Sequence, residues 1–474
     1  MAGSVFQVGE QKVRPGVYVR VTNIGEPQEA IVPQGIVAAL FRSSWGPLGE
    51  VTYLENADAV FTTFGSEGTT DALLEAFRGG CRRVVAYRLG SGGAEASLNL
   101  QDDASANVVK IEAKYEGARG NNFAVTIRDS LADDTKRELL LYEGTTLRQM
   151  VTFAKGSGEP QALVDAIAVS NSPYITATKI ADGSGTLATV TQQPLTGGQD
   201  PTVNGESYSA GLSAIEAIDW NVLAVDTDDT ATHTLAQAYI DRVRNEGKRV
   251  IGVVGEPTSV AFATRLANAG AFNDPAIIYV ANGFKGSDGI VREGYKAAAR
   301  VAGMVAAAQI TESLTHYVVR GATELVGALT NAEIEQAIQS GALVFTMSAQ
   351  KQVHIEYGIN TFVTVTADMD AGWKKIRRVR TRDNLMDRIA ATWDPLIGKI
   401  NNSPDGRATL IAAAQGIINR MIGEGALLQG TIYEDPNNPP VGDSAWFVVQ
   451  VDDLDSAEKV YLTFQFRFTP PVES

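Results

Sequence analysis

The sequence has almost no cysteine, little histidine and no long apolar run. Cys81 is the only cysteine among 474 residues, so no disulfide can form within the chain and no cysteine cluster can hold a metal. This favours production in a reducing cytoplasm. The most apolar helical stretch, residues 301–310, is far shorter than the ~20 residues of a membrane span. We expect it to be a packed core helix and predict no membrane insertion.

Positive charge is also in the minority. The chain carries 40 basic and 55 acidic residues, a formal net charge of −15, which argues against contact with nucleic acid or anionic lipid. The first 15 residues lack the apolar segment of a secretory signal, and none is predicted. A length of 474 residues exceeds what one hydrophobic core supports and indicates several domains.

The pattern of apolar residues changes along the chain and predicts a mixed α/β and α+β multidomain fold. Residues 26–95 are strand-like and rich in turns. Short alternating strands in 96–200 are typical of a β-sandwich, whereas helices alternate with apolar strands in 201–358, as in a parallel α/β domain. Residues 359–474 are α+β. Individual predictions include strands at 83–88, 123–129, 342–347 and 361–366, and helices at 71–78, 232–244, 383–391 and 407–421.

Each candidate motif for catalysis or cofactor binding departs from the residue pattern that its chemistry requires. The Gly90–Gly93 stretch lacks the spacing of a dinucleotide-binding loop and predicts a linker, and Ser348 lacks the flanking glycines of a nucleophile elbow. His233, His316 and His354 stand far apart in sequence, without the spacing of a zinc motif. We therefore predict no catalytic centre, no metal and no cofactor, with an α/β serine hydrolase or peptidase as the rival interpretation.

Three acidic residues that follow an apolar strand are a separate candidate for a metal site. Asp226, Asp228 and Asp229 lie close in sequence, but Ala231 and Gln237 stand where an EF-hand loop has its glycine and its glutamate. Helix capping is the favoured interpretation of these carboxylates.

A dense basic run stands out in this acidic chain and leaves two interpretations open. It is either a solvated face beside Trp373, Ile376 and Val379, or a surface that docks on another protein. The run consists of Lys374, Lys375, Arg377, Arg378, Arg380 and Arg382.

Both ends of the chain predict strands. In residues 459–469, apolar Val460, Leu462, Phe464 and Phe466 alternate with polar or amphipathic side chains, and residues 17–22 alternate in the same way. The pattern alone does not distinguish strands of the chain's own sheets from strands added to a neighbouring subunit.

Several short motifs, each weak alone, occur in an order that resembles contractile bacteriophage tail sheath proteins, especially those of Gram-positive phages and defective prophages. These motifs are Arg14-Pro15-Gly16-Val17-Tyr18, Gly46-Pro47 followed by residues 61–65, Ala113-Lys114-Tyr115-Glu116-Gly117 with Gly120-Asn121, and Leu195-Thr196-Gly197-Gly198.

The resemblance implies an N-terminal arm at 1–25, a region at 26–95 that packs with the core, an outward β-sandwich at 96–200, a subtilisin-like domain without protease activity at 201–358 and a tube-facing domain at 359–474. It further implies that Val17, Tyr18 and Val19 form an arm to a neighbouring subunit, and that Val460, Leu462, Phe464 and Phe466 form a donated strand.

The function implied by the resemblance is that of a structural subunit and not of an enzyme. Such subunits polymerise as hexameric rings into a helical sleeve around a tail tube, and the sleeve contracts to drive the tube through the host envelope. The expected partners are further copies of the chain, the tube protein, and baseplate and terminator proteins, with assembly in the host cytoplasm. A tail-like bacteriocin or injection device using the same sleeve remains an alternative.

Overall fold

The computed structural model describes residues 34–466. The strands in chain order are β1 (Ile36–Phe41), β2 (Val51–Leu54), β3 (Arg83–Arg88), β4 (Ser97–Gln101), β5 (Asn107–Ala113), β6 (Phe123–Asp129), β7 (Lys136–Glu143), β8 (Thr146–Ala154), β9 (Ile175–Lys179), β10 (Val190–Pro194), β11 (Val222–Val225), β12 (Ile251–Gly255), β13 (Ile277–Val280), β14 (Gly283–Gly286), β15 (Val291–Arg292), β16 (Ala322–Val326), β17 (Ala342–Leu343), β18 (Phe345–Met347), β19 (Val353–Ile355), β20 (Leu427–Glu434) and β21 (Phe447–Asp453). The helices are α1 (Ala57–Phe64), α2 (Asp71–Gly79), α3 (Glu159–Ser170), α4 (Gly205–Ala214), α5 (Thr230–Asn245), α6 (Phe262–Phe272), α7 (Tyr295–Ala307), α8 (Asn331–Gln339), α9 (Ile376–Trp393) and α10 (Pro404–Gly423).

Residues between 36 and 343 contribute seven strands to one sheet, in the order β17-β13-β12-β11-β1-β3-β2. Its neighbouring strands are parallel except for β2, which pairs antiparallel with β3. All six residues of β1 are buried, because alternate side chains enter two different apolar clusters on the two faces of the sheet. Helices α2 and α7 contribute to one cluster, and α4 and α5 to the other. The predicted mixed α/β architecture is therefore confirmed.

Helix α7 is the predicted core helix, and ten consecutive residues in it are buried. It crosses α2 at very short range, since a Cβ atom on Gly303 would lie only 2.0 Å from the backbone oxygen of Ala76. Glycine at this position permits the two backbones to touch, and any larger side chain would force them apart.

Residues 97–194 form two antiparallel sheets, β10-β6-β7-β8 and β4-β5-β9. The inward side chains of both sheets and of α3 form a single apolar cluster, which includes Phe123, Leu139, Ile111 and Leu163. Trp45, which precedes this region in the chain, enters the same cluster and contacts Phe123 edge to face.

Residues 382–454 form a separate compact unit, which comprises most of α9, helix α10 and the β20–β21 hairpin. Gln415 on α10 binds β20 with both ends of its amide. Its Nε2 donates to Gly430 O at 3.1 Å, and its Oε1 accepts from Ile432 N at 3.2 Å. Trp393 donates from Nε1 to Leu410 O at 3.0 Å.

One strand prediction is wrong, and one helix prediction is confirmed with an earlier start, each for an identifiable reason. Residues 361–366 form no strand, because Asn273 Oδ1 accepts from the backbone N–H groups of both Val363 and Thr364 at 2.9 Å and so replaces a strand partner. The helix predicted at 383–391 begins instead at Ile376 and includes most of the basic run. Lysine and arginine are good helix formers, and the apolar residues Ile376 and Val379 within this run are buried at helical spacing.

Residues 459–466 pair with no strand of the chain's own sheets among the described residues, and their pairing with a neighbouring subunit stays a prediction. The strand predicted at 342–347 is divided into β17, which joins the large sheet, and β18, which pairs with β19. None of the helices between residues 34 and 466 combines the length and the apolar character needed to cross a bilayer.

The glycine contact between α2 and α7 gives a stability prediction. Gly303→Ala should lower the free energy of unfolding by about 1–3 kcal/mol, because the new methyl group overlaps backbone atoms. The matched control is Gly416→Ala on α10, where an added Cβ meets no atom within 4 Å. It should raise the free energy of unfolding by about 0.5–1 kcal/mol through helix propensity. Urea unfolding followed by circular dichroism measures both, and equal stability of the two variants would contradict the packing argument.

Candidate functional site

The segment of residues 459–466 presents large apolar side chains to solvent. Val460, Leu462 and Phe464 are 72%, 74% and 75% exposed, and Phe466 is 90% exposed. Their spacing of two residues places all four on one face of an extended chain. Isolated exposed apolar residues are common on proteins, whereas a contiguous set of this size is typical of interaction surfaces.

Glu458, directly before this segment, is held by three side chains. Lys375 Nζ lies 2.6 Å from Glu458 Oε2, while Ser313 and Thr315 donate to Glu458 Oε1 at 2.6 and 2.9 Å. Lys375 also contacts Asp455 Oδ2 at 2.6 Å. Burial alone would lower the pKa of Lys375, but the hydrogen bonds to Asp455 and Glu458 outweigh it, and the pKa is raised. We call Lys375, Asp455 and Glu458 the anchor.

Arg377 extends the anchor. Its side chain is 6% exposed, and its Nη1 donates to Ser456 Oγ at 2.8 Å and lies 3.9 Å from Asp455 Oδ1. This part of the basic run is therefore a buried contact with residues 455–456 and not a solvated face. Sequence reasoning missed Asp455 and Glu458, although the acidic stretch immediately before an alternating segment was a visible signal.

The other basic residues also contact groups of their own chain. Lys374 donates to Ile338 O, Arg378 lies 4.0 Å from Asp370, Arg380 donates to Gln309 O at 3.2 Å, and Arg382 lies 3.6 Å from Asp453. These contacts place much of the run's charge against acidic or carbonyl groups. A role of the run in docking on another protein stays a prediction. The predicted arm residues Val17, Tyr18 and Val19 lie outside the described residues.

The aspartates after β11 serve three separate structural roles. Asp229 is the N-cap of α5 and accepts from Thr232 N at 2.8 Å, which confirms the capping prediction. Asp228 accepts from Tyr295 N at 2.6 Å and so caps α7. For Asp226 the capping prediction is wrong.

Asp226 is fully buried, and its carboxylate is bound by side chains of other elements. Arg42 Nε lies 2.9 Å from it, Tyr208 donates its hydroxyl at 2.6 Å, and Thr69 donates as well. Opposite charge and hydrogen bonds compensate the burial of this carboxylate, which is the usual requirement for a charged group inside a protein. None of these contacts arranges the three aspartates around a common point.

The polar residues considered for catalysis have ordinary structural contacts. Ser348 Oγ accepts from Gln352 N at 3.1 Å and closes the turn between β18 and β19. His233 is buried on α5, where its Nε2 lies 2.8 Å from Thr227 O, and burial lowers its pKa. The other two histidines are neighbours in space although they lie far apart in sequence, since the rings of His316 and His354 have centroids 4.8 Å apart.

Three family models match consecutive parts of the chain. Residues 91–200 match the phage tail sheath protein beta-sandwich domain, 202–361 the phage tail sheath protein central domain, and 368–467 the phage tail sheath C-terminal domain. The chain belongs to the phage tail sheath family.

Individual relatives agree with this family. The chain is 27% identical over 417 residues to the phage-like element PBSX protein XkdK of Bacillus subtilis, a match that covers 84% of the chain and 83% of that protein. It also superposes on the crystal structure of a sheath tail protein from Desulfitobacterium hafniense with a TM-score of 0.74 and 25% identity, over 93% of the chain and all of that structure.

The fold extends to more distant sheaths. The sheath of an extracellular contractile injection system, in its contracted state, has a TM-score of 0.55 and 10% identity, covering 96% of the chain and 98% of that structure. At this identity the likeness concerns the fold alone.

The anchor gives a testable charge-swap prediction. Lys375→Glu and Glu458→Lys should each release residues 455–458, because like charges then face each other, while the double variant should restore most of the contact. Hydrogen–deuterium exchange of a peptide that spans 455–458 measures the release. Equal exchange rates in both single variants and in the unsubstituted protein would show that this ion pair does not hold the segment.

Asp228 and Asp229 should change folding stability with pH in opposite directions. Burial raises the pKa of Asp228 to about 6, against about 3.9 in an unfolded chain. The folded state therefore holds the extra proton, and stability falls as pH rises from about 4 to about 6. Asp228→Asn should remove this loss.

Asp229→Asn is the matched control for that measurement. Hydrogen bonds from Thr232 lower the pKa of Asp229, so its contribution is present above about pH 3.9 and is lost as pH falls through the lowered value. Urea midpoints measured between about pH 2.5 and pH 7 include both transitions and distinguish the two cases. A pH profile that is the same with and without Asp228 would contradict the assignment.

Proposed function

We propose that this protein is the structural subunit of a contractile tail sheath and that residues 459–466 add a strand to a sheet of a neighbouring copy. The observation that carries the proposal is the exposed, alternating apolar segment that begins immediately after the anchor. An extended segment with an apolar face satisfies its backbone N–H and C=O groups and covers its side chains by pairing with a sheet edge.

The proposed assembly is a stack of hexameric rings. Identical contacts between unlike surfaces produce a helical array when they do not close, and a sleeve around a tail tube is such an array. Strand links of the kind proposed keep neighbouring copies connected while their domains rotate. In this proposal Val17, Tyr18 and Val19 supply a second link, and baseplate and terminator proteins bound the two ends.

In this proposal, the free-energy difference between two packings of the same subunits drives contraction. If the extended and compact arrangements differ by about a few kcal/mol per subunit, a long stack sums the difference into mechanical work without a nucleotide. The extended form is then held kinetically until the baseplate releases it. The likeness to a contracted injection-system sheath supports a fold compatible with this cycle.

The domain roles follow the same proposal. Residues 1–25 act as an arm and 26–95 pack with the core, 96–200 form an outward β-sandwich, 201–358 a subtilisin-like domain without catalysis, and 359–474 face the tube. Assembly takes place in the host cytoplasm, and the tail is the site of action. The hydrolase alternative is not retained, because sheath models match residues 91–467 almost continuously.

A second candidate is a sheath of a tail-like bacteriocin or injection device. The fold likeness to the sheath of an extracellular contractile injection system supports this candidate. Genes for a capsid and a portal beside the coding sequence would identify an infectious phage, whereas a tail cluster without them would identify a device that carries no genome.

The strand-donation proposal predicts a face-specific effect. Leu462→Asp with Phe464→Asp should abolish sleeves, because charges on the apolar face oppose burial in a neighbour's sheet. The matched control, Thr463→Asp with Gln465→Asp, alters the other face of the same segment and should retain sleeves. Negative-stain electron microscopy and sedimentation measure assembly, and circular dichroism checks that each subunit is folded.

Removal of residues 459–474 provides an independent version of that experiment. Sleeves of normal length from the truncated chain, or from the apolar-face variant, would eliminate strand donation as the link. Loss of sleeves in both pairs of aspartate variants would also count against it, since the effect would then follow charge and not the apolar face.

A further inference from the structure

Three strand segments bring two imidazoles and a carboxylate together in the central part of the fold. Tyr317 O accepts from Ile355 N at 3.0 Å, Val318 pairs antiparallel with His354, and Thr346 pairs with His354 from β18 on the other side. The middle strand of this three-stranded ribbon is therefore the one that carries His354 and continues to Glu356.

The register of the β18–β19 hairpin places three polar side chains on one face, and the turn before Val318 brings His316 to them. His354 and Glu356 are two residues apart on the middle strand and so point the same way. His316 lies in the turn before Val318, where its φ is 58° and its N–H donates to Ile355 O at 2.8 Å, and its ring contacts that of His354 edge to face. Thr346 lies directly opposite His354. Backbone pairing thus brings together two histidines that lie far apart in sequence.

The donor atoms are close enough to share one ion. One ligand atom from each of His316, His354 and Glu356 lies within 4.8 Å of the others, and His354 Nε2 is 3.8 Å from Glu356 Oε2. Zinc bonds of about 2.0–2.2 Å require tetrahedral ligands roughly 3.3–3.5 Å apart, so small side-chain rotations suffice. His316 is exposed and free to make the largest adjustment, while His354 is buried.

The surrounding contacts resemble the outer shell of a metal site. His354 Nδ1 faces Gln352 O at 3.4 Å, so an imidazole that binds an ion through Nε2 can donate its Nδ1–H to this carbonyl. Thr346 donates its hydroxyl to Glu356 Oε2 at 2.5 Å and orients that carboxylate. The same hydroxyl oxygen lies 3.1 Å from His354 Nε2, a contact that a bound ion would replace. His316 is exposed to solvent and Glu356 is half-buried, so the group is in contact with solvent.

We propose that His316, His354 and Glu356 bind one Zn²⁺, with water as the fourth ligand. Two nitrogen ligands and one carboxylate around an open position are a combination that zinc accepts, and magnesium and calcium, which prefer oxygen ligands only, do not. The ion would join the segment at residues 316–319 to the β18–β19 hairpin. The proposal does not depend on sheath assembly.

Calorimetric titration of ZnCl₂ into the full-length, chelator-treated protein at about pH 7.5 tests the site. We expect one zinc per chain. His316→Ala and Glu356→Gln should each weaken binding by at least about 10-fold. The matched control is Lys351→Ala, because Lys351 is exposed on the same hairpin and has a positive φ of 59°, close to the 58° of His316.

A second readout is thermal unfolding with and without zinc. Binding to the folded state alone should raise the midpoint of the unsubstituted protein and of Lys351→Ala, and should leave the two ligand variants unchanged. Absence of stoichiometric binding would overturn the proposal and leave a plain imidazole–carboxylate contact. Equal zinc affinity in all four proteins would overturn it as well, because the ion would then bind elsewhere.

Discussion

The ion pair between Lys375 and Glu458 determines where the packed body of this subunit ends and its exposed C-terminal segment begins. Glu458 is bound by a lysine and two hydroxyl groups, whereas the apolar side chains directly after it are largely exposed. An abrupt change from a fully paired carboxylate to an uncovered apolar face is unfavourable for an isolated soluble molecule. It is consistent with a subunit that completes its structure by contact with further copies, as the sheath family implies.

The parallel sheet and the aspartates that follow β11 contribute to packing within the chain. The parallel sheet has both faces covered by helices, and the glycine contact between α2 and α7 brings two of those helices together at backbone distance. The aspartates at the carboxyl end of β11, a location where α/β proteins often bind ligands, are instead used for capping and for a buried ion pair. These contacts use the charged groups at the end of β11 for packing within the chain.

Local sequence patterns predicted the regular elements well where a single interaction controls them. Strands β3 and β6 have the predicted bounds, and Asp229 caps α5 as predicted. The predictions failed where a distant group decides the outcome. Asn273 replaces the strand partner of residues 363–364, and the anchor joins Lys375 to a carboxylate much farther along the chain. The proximity of His316 to His354 depends on strand register between distant segments, which no sequence motif encodes.

The short distance between the anchor and the exposed segment limits the geometry of any complex that the segment enters. A fully extended chain spans at most about 3.3–3.6 Å per residue. Leu462, four residues after Glu458, therefore reaches no farther than roughly 13–14 Å from it, and Phe466 no farther than roughly 26–29 Å. If the segment pairs with a neighbour's sheet as proposed, the edge that receives it must lie within that reach for as long as the anchor is intact. The proposed link would then have a fixed maximum length.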